Sequence, residues 1–298
     1  MKSSFEKTLI LLTEQKSPNT NVVGVARSLL ALGLLLTLLF NPTTTLAQVH
    51  DGKLFNPYLN SNFILYPYNF FMILGEGNFF IMKYIAILIL IIVISGYWLK
   101  ITSILHWWIA SSFVFTSSTI DGGDQMGAIF SLFLIPILFF DDRKNHWYLG
   151  KKTQNIKKIV PIVTIWILRL QVSIIYFHAP VGKFSGKEWA NGTAIYYWWN
   201  QSIFGMPLLI SDFINSLLEN SYIVTMVTYS VMILEILIFL GLSASVRYRK
   251  TILLVAVVFH LSIILVHGIF SFFFSICAGL ILFLFPTYEN FEFSKFKS

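Results

Sequence analysis

Long apolar runs separated by short polar stretches dominate the pattern of this chain. A helix that crosses a membrane needs about 20 mostly apolar residues, and the longer runs reach that length without the period-two alternation of a barrel strand. The sequence therefore predicts an all-α, polytopic helical membrane bundle of about eight spans. The predicted spans are Val22–Phe40, Phe79–Trp98, Ile101–Thr119, Gly127–Phe140, Ile159–Phe177, Tyr222–Ala244, Thr251–His267 and Ile269–Pro286.

These spans place one transmembrane domain at residues 22–286, between an N-terminal tail (1–21) and a C-terminal tail (287–298). Two further segments do not have the pattern of a span. Leu54–Leu74 mixes Asn and Pro with Phe and Tyr, which predicts an aromatic loop at the outer membrane interface. Phe204–Leu218 holds Pro207, Asp212 and Asn215 in an apolar stretch, which predicts an interfacial or re-entrant helix.

The composition narrows the class of protein. Of the 298 residues, 56% are hydrophobic and 12% are charged, whereas a soluble domain has about 25% charged residues. An ordinary soluble enzyme and a disordered chain are thereby excluded, and the single cysteine, Cys277, excludes an internal disulfide. The net charge of +7 comes from basic residues beside the apolar runs. The expected partner is accordingly the lipid bilayer and not a nucleic acid.

The distribution of Lys and Arg predicts the orientation. With the N-terminus inside, 15 of the 21 basic residues fall in the tails and the even-numbered loops, and four fall in the outer loops. Positive residues accumulate on the cytoplasmic side, so we expect a multi-pass protein of the cell membrane with both termini cytoplasmic. An alternative is a cleaved signal peptide that ends at Thr45-Leu46-Ala47, but the long stretch before the apolar core and Pro42 favour a retained helix.

Charged residues within apolar spans are costly and often functional. Arg27 lies close enough to the cytoplasmic boundary to extend its guanidinium to the headgroups. Arg169 and Glu235 lie near the middle of their spans, so the sequence predicts a structural ion pair between them. Such a pair either supports function or only fixes the packing of two helices.

Two segments on the predicted outer face gather ionisable groups. In the turn Asp121-Gly122-Gly123-Asp124-Gln125, the carboxylates of Asp121 and Asp124 either point out of the bilayer or cap the fourth helix. The spacing does not match a calcium loop. The second segment, Tyr176–Thr193, combines His178, Lys183 and Lys187 with helix-breaking Pro and Gly.

Lys183 is the candidate base of that second segment. A lysine in a dry site or beside another cation, here Lys187, loses its proton more readily and can act as a base. The alternative is an anchoring lysine that reaches the headgroups. His260 and His267 lie on one helix face about 10 Å apart, too far for one zinc ion to bind both. No metal site is predicted.

Several of these motifs resemble known families. The stretch Asn21–Asn41 resembles the opening of the sporulation-delaying-protein B family of bacteria. The Asp-Gly-Gly-Asp-Gln turn, the segment Tyr176–Trp199 and the stretch from Phe259 to Phe270 resemble the broader HTTM group, the membrane domain shared with vitamin K-dependent gamma-carboxylases. The resemblance runs from about Asn21 to Pro286 and implies a helical membrane bundle.

The carboxylase resemblance implies a residue role. In those enzymes a lysine just after Ala-x-Val is the proposed base that deprotonates a reduced quinone, and Ala179-Pro180-Val181-Gly182-Lys183 places Lys183 at that position. The cofactor is otherwise unknown, since a quinone is implied by this resemblance alone. The carboxylases also have a histidine where this chain has Gly123. The candidate catalytic residues are Lys183 (base), His178, Asp121, Asp124 and His260.

The resemblance to the sporulation-delaying-protein B family implies a role in turning a secreted toxin precursor into its active peptide, together with a small partner protein. The leading hypothesis is therefore a membrane factor for maturation of an exported peptide, acting at the outer face. One alternative is an HTTM enzyme that uses Lys183 as a base on a quinone or a peptide. Another is a toxin transporter or immunity protein, although no inverted pair of broken helices supports transport.

Overall fold

The computed structural model describes residues 17–47, 49–50, 53–54, 66–118, 120–149, 156–201 and 205–291. Their regular structure is almost entirely helical. A short antiparallel pair joins Val49–His50 (β1) to Lys53–Leu54 (β2), and 3-10 turns precede the helices that begin at Phe79 and at Ile159. The α-helices are Asn21–Phe40 (α1), Thr43–Leu46 (α2), Phe79–Ser95 (α3), Leu99–Thr116 (α4), Gly122–Phe139 (α5), Ile159–Phe184 (α6), Lys187–Ala190 (α7), Ala194–Trp199 (α8), Leu208–Leu218 (α9), Ser221–Leu240 (α10), Val246–His267 (α11) and Phe270–Leu284 (α12).

Each predicted span corresponds to one long helix of the described chain: α1, α3, α4, α5, α6, α10, α11 or α12. Five of them, α1, α5, α6, α10 and α11, are long and apolar enough to cross a membrane, while α3 and α12 are apolar but shorter. The prediction of a helical membrane bundle is confirmed. The number of crossings, eight, stays a prediction, and the tail residues 1–16 and 292–298 lie outside the described residues.

Three predicted spans were too short at one end, among them the seventh, because α11 begins at Val246 and not at Thr251. Helix α5 begins at Gly122, five residues before the predicted start, because Asp121 caps it. Helix α6 does not end at Phe177 but continues through Pro180 to Phe184. A proline removes one backbone hydrogen bond, whereas ending the helix within a bilayer would leave several backbone groups without partners. The continuation therefore costs less than a loop at that depth.

Helix α1 lies at the centre of the bundle and packs against α3, α5 and α12. Its apolar side chains belong to two buried clusters. One cluster joins α1 to α5, α6 and α12, and the other joins it to α3, α4 and the turn at Phe70–Met72. Helix α12 also approaches the start of α5 closely, because a Cβ on Gly123 would overlap the Cα of Phe272.

The aromatic segment Leu54–Leu74 differs from its prediction where the structure describes it. Phe70, Phe71 and Met72 form a 3-10 turn that is buried in the core, so these residues are not part of an interfacial loop. Residues 55–65 lie outside the described residues. The second segment contains the predicted amphipathic helix, α9, which leaves Leu208, Leu209 and Phe213 exposed as an interfacial helix would.

The two ends of the bundle differ in charge. Residues 140–149, 156–158, 241–250 and 285–291 form one end, which we call the basic end. The N-terminal stretch joins them, since Thr20 donates from Oγ1 to the carbonyl of Thr287 at 2.7 Å and Arg143 donates to the carbonyl of Thr20 at 3.1 Å. The turn at Asp121 and helices α7 to α9 lie toward the opposite end, the Asp121 end. The described basic residues at the basic end include Arg143, Lys144, Lys157, Lys158, Arg247, Arg249 and Lys250.

Candidate functional site

A stripe of polar residues follows one face of α6. Arg169, Ser173, Tyr176 and Lys183 recur at helical spacing, which puts them on the side of α6 that meets α10, α11 and α12. Because α6 extends past Phe177, Lys183 continues this stripe instead of lying in a loop. The helix thus carries a cation to the same face as the buried Tyr176.

Lys183 forms an ion pair with Glu235 of α10. Its Nζ donates to Glu235 Oε1 at 2.5 Å, and the two side chains are 23% and 9% exposed. The prediction that Glu235 pairs with Arg169 is therefore wrong. The two residues lie at similar fractions of their spans, but the long stem of Lys183 points back along α6 toward its N-terminus and reaches the level of Glu235.

The ion pair lies at depth in the bundle. At about 1.5 Å per residue along α10, Glu235 lies about 21 Å from Ser221, where the helix begins, and about 8 Å from Leu240, where it ends. Lys183 thus contacts a carboxylate inside the bundle, and its position at the outer membrane boundary stays a prediction. Trp189 of α7 covers the ammonium, with 5.3 Å between Nζ and the ring centroid.

A hydrogen bond between Tyr176 and His260 of α11 lies beside this pair. Tyr176 Oη and His260 Nε2 are 3.3 Å apart, and His260 Nδ1 lies 2.7 Å from the carbonyl of Ala256. A carbonyl can only accept, so Nδ1 carries the proton and Nε2 accepts from the tyrosine hydroxyl. The charges of Lys183 and Glu235 act on His260 and Tyr176 respectively. We call Tyr176, Lys183, Glu235 and His260 the Lys183 cluster.

Two buried atoms beside these contacts have unused hydrogen-bonding capacity. Glu235 Oε2 and Ser173 Oγ are buried and have no hydrogen-bond partner among the described residues. A buried polar atom without a partner costs about 1–3 kcal/mol, which a structure tolerates where a substrate group can bind. The thiol of Cys277 on α12 is also close enough to Tyr176 for an electrostatic interaction. The site therefore offers a cation, a free carboxylate oxygen and two hydroxyls.

The structure does not bring His178 into this cluster. His178 is exposed on a different face of α6, where its ring contacts that of Phe177. Lys187, which we expected to act as a neighbouring cation, begins α7 after the break at Gly186 and is exposed. The charged group in contact with Lys183 is instead the carboxylate of Glu235.

Asp121 and Asp124 form the cap of α5. Asp124 N donates to Asp121 Oδ1 at 2.9 Å, and Asp121 N donates to Asp124 Oδ2 at 3.1 Å, which completes a capping box. Ser271 Oγ donates to Asp121 Oδ2 at 2.6 Å. The capping interpretation is confirmed. Phe272 separates this turn from the Lys183 cluster, since its backbone contacts Gly123 while its ring lies 6.1 Å from that of His260.

A second polar group lies toward the basic end. Arg27 is 0% exposed and donates to Thr102 Oγ1 at 2.5 Å and contacts His146 Nδ1 at 3.3 Å, so the expectation that it reaches the headgroups is wrong. Burial, with the positive charges of Arg27 and Arg143, lowers the pKa of His146 to about 3. Since His146 also contacts Ser28, this group fixes the loop at 140–149 against α1.

Sequence reasoning found Lys183 and His260 but missed Tyr176, Ser173 and the partner of Lys183. A signal was present, because Ser173, Tyr176 and Lys183 follow one another at helical spacing. Reading that signal required α6 to continue past Pro180. Within the described part of the chain, no group of three His, Cys, Asp or Glu side chains could hold a metal ion.

Comparison with known proteins identifies two relatives, both from Bacillus subtilis (strain 168). The chain is 34% identical over 278 residues to the sporulation-delaying protein SdpB, which covers 92% of this chain and 84% of that protein. It is 32% identical over 295 residues to the uncharacterized protein YitO, which covers 97% of this chain and 93% of that protein. No family model matches the chain, and no solved structure matches it.

Proposed function

The chain belongs to the sporulation-delaying protein B family, and on that premise we propose that it is a multi-pass cell-membrane protein required for maturation of a secreted peptide toxin. It acts together with a small partner protein on a precursor that has left the cytoplasm. The basic end faces the cytoplasm, as the positive-inside rule predicts. The Asp121 end, with α7 to α9, then faces outward and meets the exported precursor.

The observation that carries this proposal is the ion pair between Lys183 and Glu235. Two charges at this depth are expensive, and a pair that only joined α6 to α10 could be replaced by apolar side chains. Glu235 Oε2, and Ser173 Oγ on the same face of α6 as Tyr176, are also buried without a hydrogen-bond partner among the described residues. Both features are typical of a site that binds and reacts, which favours an active role over a scaffold.

The chemistry that suits this geometry is proton transfer. Lys183 Nζ passes one proton to Glu235 Oε1 along their 2.5 Å hydrogen bond, which leaves a neutral amine and a neutral carboxyl group. The amine then accepts a proton from an acidic group of the substrate. Glu235 thereby holds the proton that Lys183 released. It gives this proton up again when the reaction cycle closes. Tyr176 and His260 fix the wall of the site through their own hydrogen bond.

A cavity of about 530 Å³ lies in the segment that follows Lys183, toward the Asp121 end, and we assign the peptide substrate to it. It is lined by Lys187, Glu188, Asn191, Thr193, Tyr197 and Trp198 of the segment that covers α10. Trp189, which lies over Lys183, belongs to the same segment. Aromatic and polar side chains of this kind suit an amphipathic peptide at the membrane interface.

A reduced quinone, implied by the carboxylase resemblance, is compatible with the donor set of the Lys183 cluster. Glu235 Oε2, which has no hydrogen-bond partner among the described residues, can accept from a hydroxyl, and Lys183 supplies the cation. When bound, the quinone would supply redox chemistry. The residues of this chain would orient it and hold a proton at Lys183 Nζ or Glu235 Oε1. This enzyme with a quinone is the second candidate function, since the free carboxylate oxygen specifically favours it.

The test is mass spectrometry of the peptide in cells that produce the precursor and the small partner, with and without this protein. We expect the mature peptide in the medium only when the protein is present. Without it, an immature precursor should still be exported, because its export does not depend on this chain. Retention of the precursor inside the cells would instead identify a transporter. Normal mature peptide without the protein would contradict the proposal.

A further inference from the structure

Arg169 remains a buried cation without a carboxylate among the described residues. It is 7% exposed. Its Nε and Nη2 donate at 3.3 Å to the carbonyl groups of Leu282 and Phe285 at the end of α12, and its guanidinium lies 5.3 Å from the ring of Trp166. The third nitrogen, Nη1, makes no hydrogen bond with a described residue. Carbonyl dipoles stabilise a buried cation only in part, so Arg169 retains the capacity to bind an anion.

Arg169 lines a cavity of about 410 Å³ at the basic end. The charge of Arg249 also acts on Arg169, which adds to the positive potential there. The walls combine apolar and aromatic side chains with two hydroxyls, from Ile162, Ile165, Trp166, Thr287 and Tyr288. The cavity thus has a cationic floor and amphipathic walls.

The surroundings of the cavity favour a lipid. Trp166 is 46% exposed, and Val163 beside it is 40% exposed, so this side of α6 faces hydrocarbon. Tyr288 follows the end of α12, at the level where tyrosine and tryptophan settle at headgroups. An anion that enters beside Arg169 therefore has apolar protein surface available for attached acyl chains.

We propose that the Arg169 cavity binds the headgroup phosphate of an anionic phospholipid from the leaflet at the basic end. A guanidinium binds phosphate through paired hydrogen bonds, and basic pockets between membrane helices bind anionic headgroups in this way. Free phosphate shares the headgroup chemistry but gains nothing from Trp166 and Val163. The inference depends on the membrane location of the chain and not on the proposed maturation activity.

The test is native mass spectrometry of the full chain in detergent with added phosphatidylglycerol, phosphatidylcholine or inorganic phosphate. We expect phosphatidylglycerol to be retained about tenfold more tightly than phosphatidylcholine, and Arg169→Gln to abolish that preference. The matched control is Arg247→Gln, which removes an exposed charge at the same end and should change retention by less than about twofold. Equal retention of both lipids by the unchanged chain, or an equal response to Arg247→Gln, would overturn the proposal.

Two further variants keep the outcome interpretable. If Arg169→Gln does not accumulate, Trp166→Ala leaves the cation in place and should still reduce the preference for phosphatidylglycerol.

Glu292 lies outside the described residues, and its carboxylate is the alternative anion that the second variant tests. If Glu292→Gln reduces thermal stability as much as Arg169→Gln while neither variant changes lipid retention, a carboxylate fills the site and the proposal is wrong. Displacement of the lipid by millimolar phosphate would also overturn it.

Discussion

Tyr176 of α6 donates a hydrogen bond to His260 of α11, and this bond joins α11 to the polar face of α6. Helix α11 packs chiefly on α12, and few of its side chains are buried. Inside the membrane, His260 Nε2 has no water to replace a lost donor. The position of α11 beside the Lys183 cluster therefore depends on this contact.

We expect Tyr176→Phe to lower the free energy of unfolding by about 1–3 kcal/mol, since it leaves His260 Nε2 buried without a donor. Thermal unfolding in detergent, followed by circular dichroism, measures this change. Tyr229→Phe is the matched control, because Tyr229 donates to the carbonyl of Ala190 from an exposed position. Equal losses from the two variants would contradict the role assigned to the buried contact.

The Lys183→Arg variant should distinguish a lysine that only anchors the protein from a lysine that acts as a base. Arginine preserves the positive charge opposite Glu235, so membrane insertion and abundance should be nearly unchanged. Its guanidinium stays protonated and cannot act as a base. We therefore expect this variant to yield no mature secreted peptide, measured by mass spectrometry of the medium.

Lys187→Arg is the control for Lys183→Arg, since Lys187 is exposed and has no contact with Glu235. Arginine keeps the positive charge that Lys187 contributes to the cavity assigned to the peptide, so this variant should reduce maturation far less than Lys183→Arg does. Full activity of a Lys183→Arg protein at unchanged abundance would show that Lys183 does not act as a base. The protein would then be a scaffold without chemistry of its own.

Glu235→Gln should lower the free energy of unfolding by about 3 kcal/mol, because it leaves the Lys183 ammonium without its carboxylate. We place the loss at the low end of the range for buried pairs, since the Lys183 side chain is 23% exposed. The double change with Lys183→Gln should recover part of the loss. Denaturant titrations of the purified variants give the coupling energy.

The same cycle applied to Arg169→Gln and Glu235→Gln should give losses that add within about 0.5 kcal/mol, since these residues share no contact. A coupling energy larger than that would show that Arg169 and Glu235 form the ion pair predicted from the sequence. The two cycles together thus distinguish the two possible partners of Glu235.

Stability should fall in mild acid because of His146. Its folded pKa, about 3, lies below the ordinary value of 6.5. Between these values the unfolded chain binds a proton that the folded chain does not, so stability is full above about pH 6.5 and is lost as the pH falls. From pH 7 to pH 5 we expect a loss of about 2 kcal/mol from this group. Thermal unfolding of His146→Asn against the unchanged chain should show that this part of the loss disappears.

Single cysteines at Glu219 and Lys144 test the orientation. Both positions are exposed, before α10 and at the basic end respectively. In a Cys277→Ala background, a membrane-impermeant thiol reagent applied to intact cells should label the cysteine at 219 and not the one at 144, because basic segments stay in the cytoplasm. Labelling of the cysteine at 144 and not of the one at 219 would show that the membrane topology is the reverse of the one predicted.

The sequence by itself determined the class of fold. Apolar runs of this length can satisfy their backbone groups in a bilayer only as helices, so the long helices and the amphipathic α9 follow from composition and spacing. The cap of α5 could also be predicted from the sequence, because Asp121 and Asp124 stand three residues apart before an apolar run. The family resemblance added Lys183 as a candidate.

Only the tertiary structure decided which polar residues meet. The partner of Glu235 depends on where α6 ends and on the rotation of α6 against α10, and neither quantity is local to either segment. Pro180 suggested an end that the chain does not adopt, because a continued helix satisfies backbone groups that a loop inside a bilayer would leave without partners. The continuation carries Lys183 onto the face of Tyr176 and to the level of Glu235, and it leaves Arg169 beside the carbonyl groups that end α12.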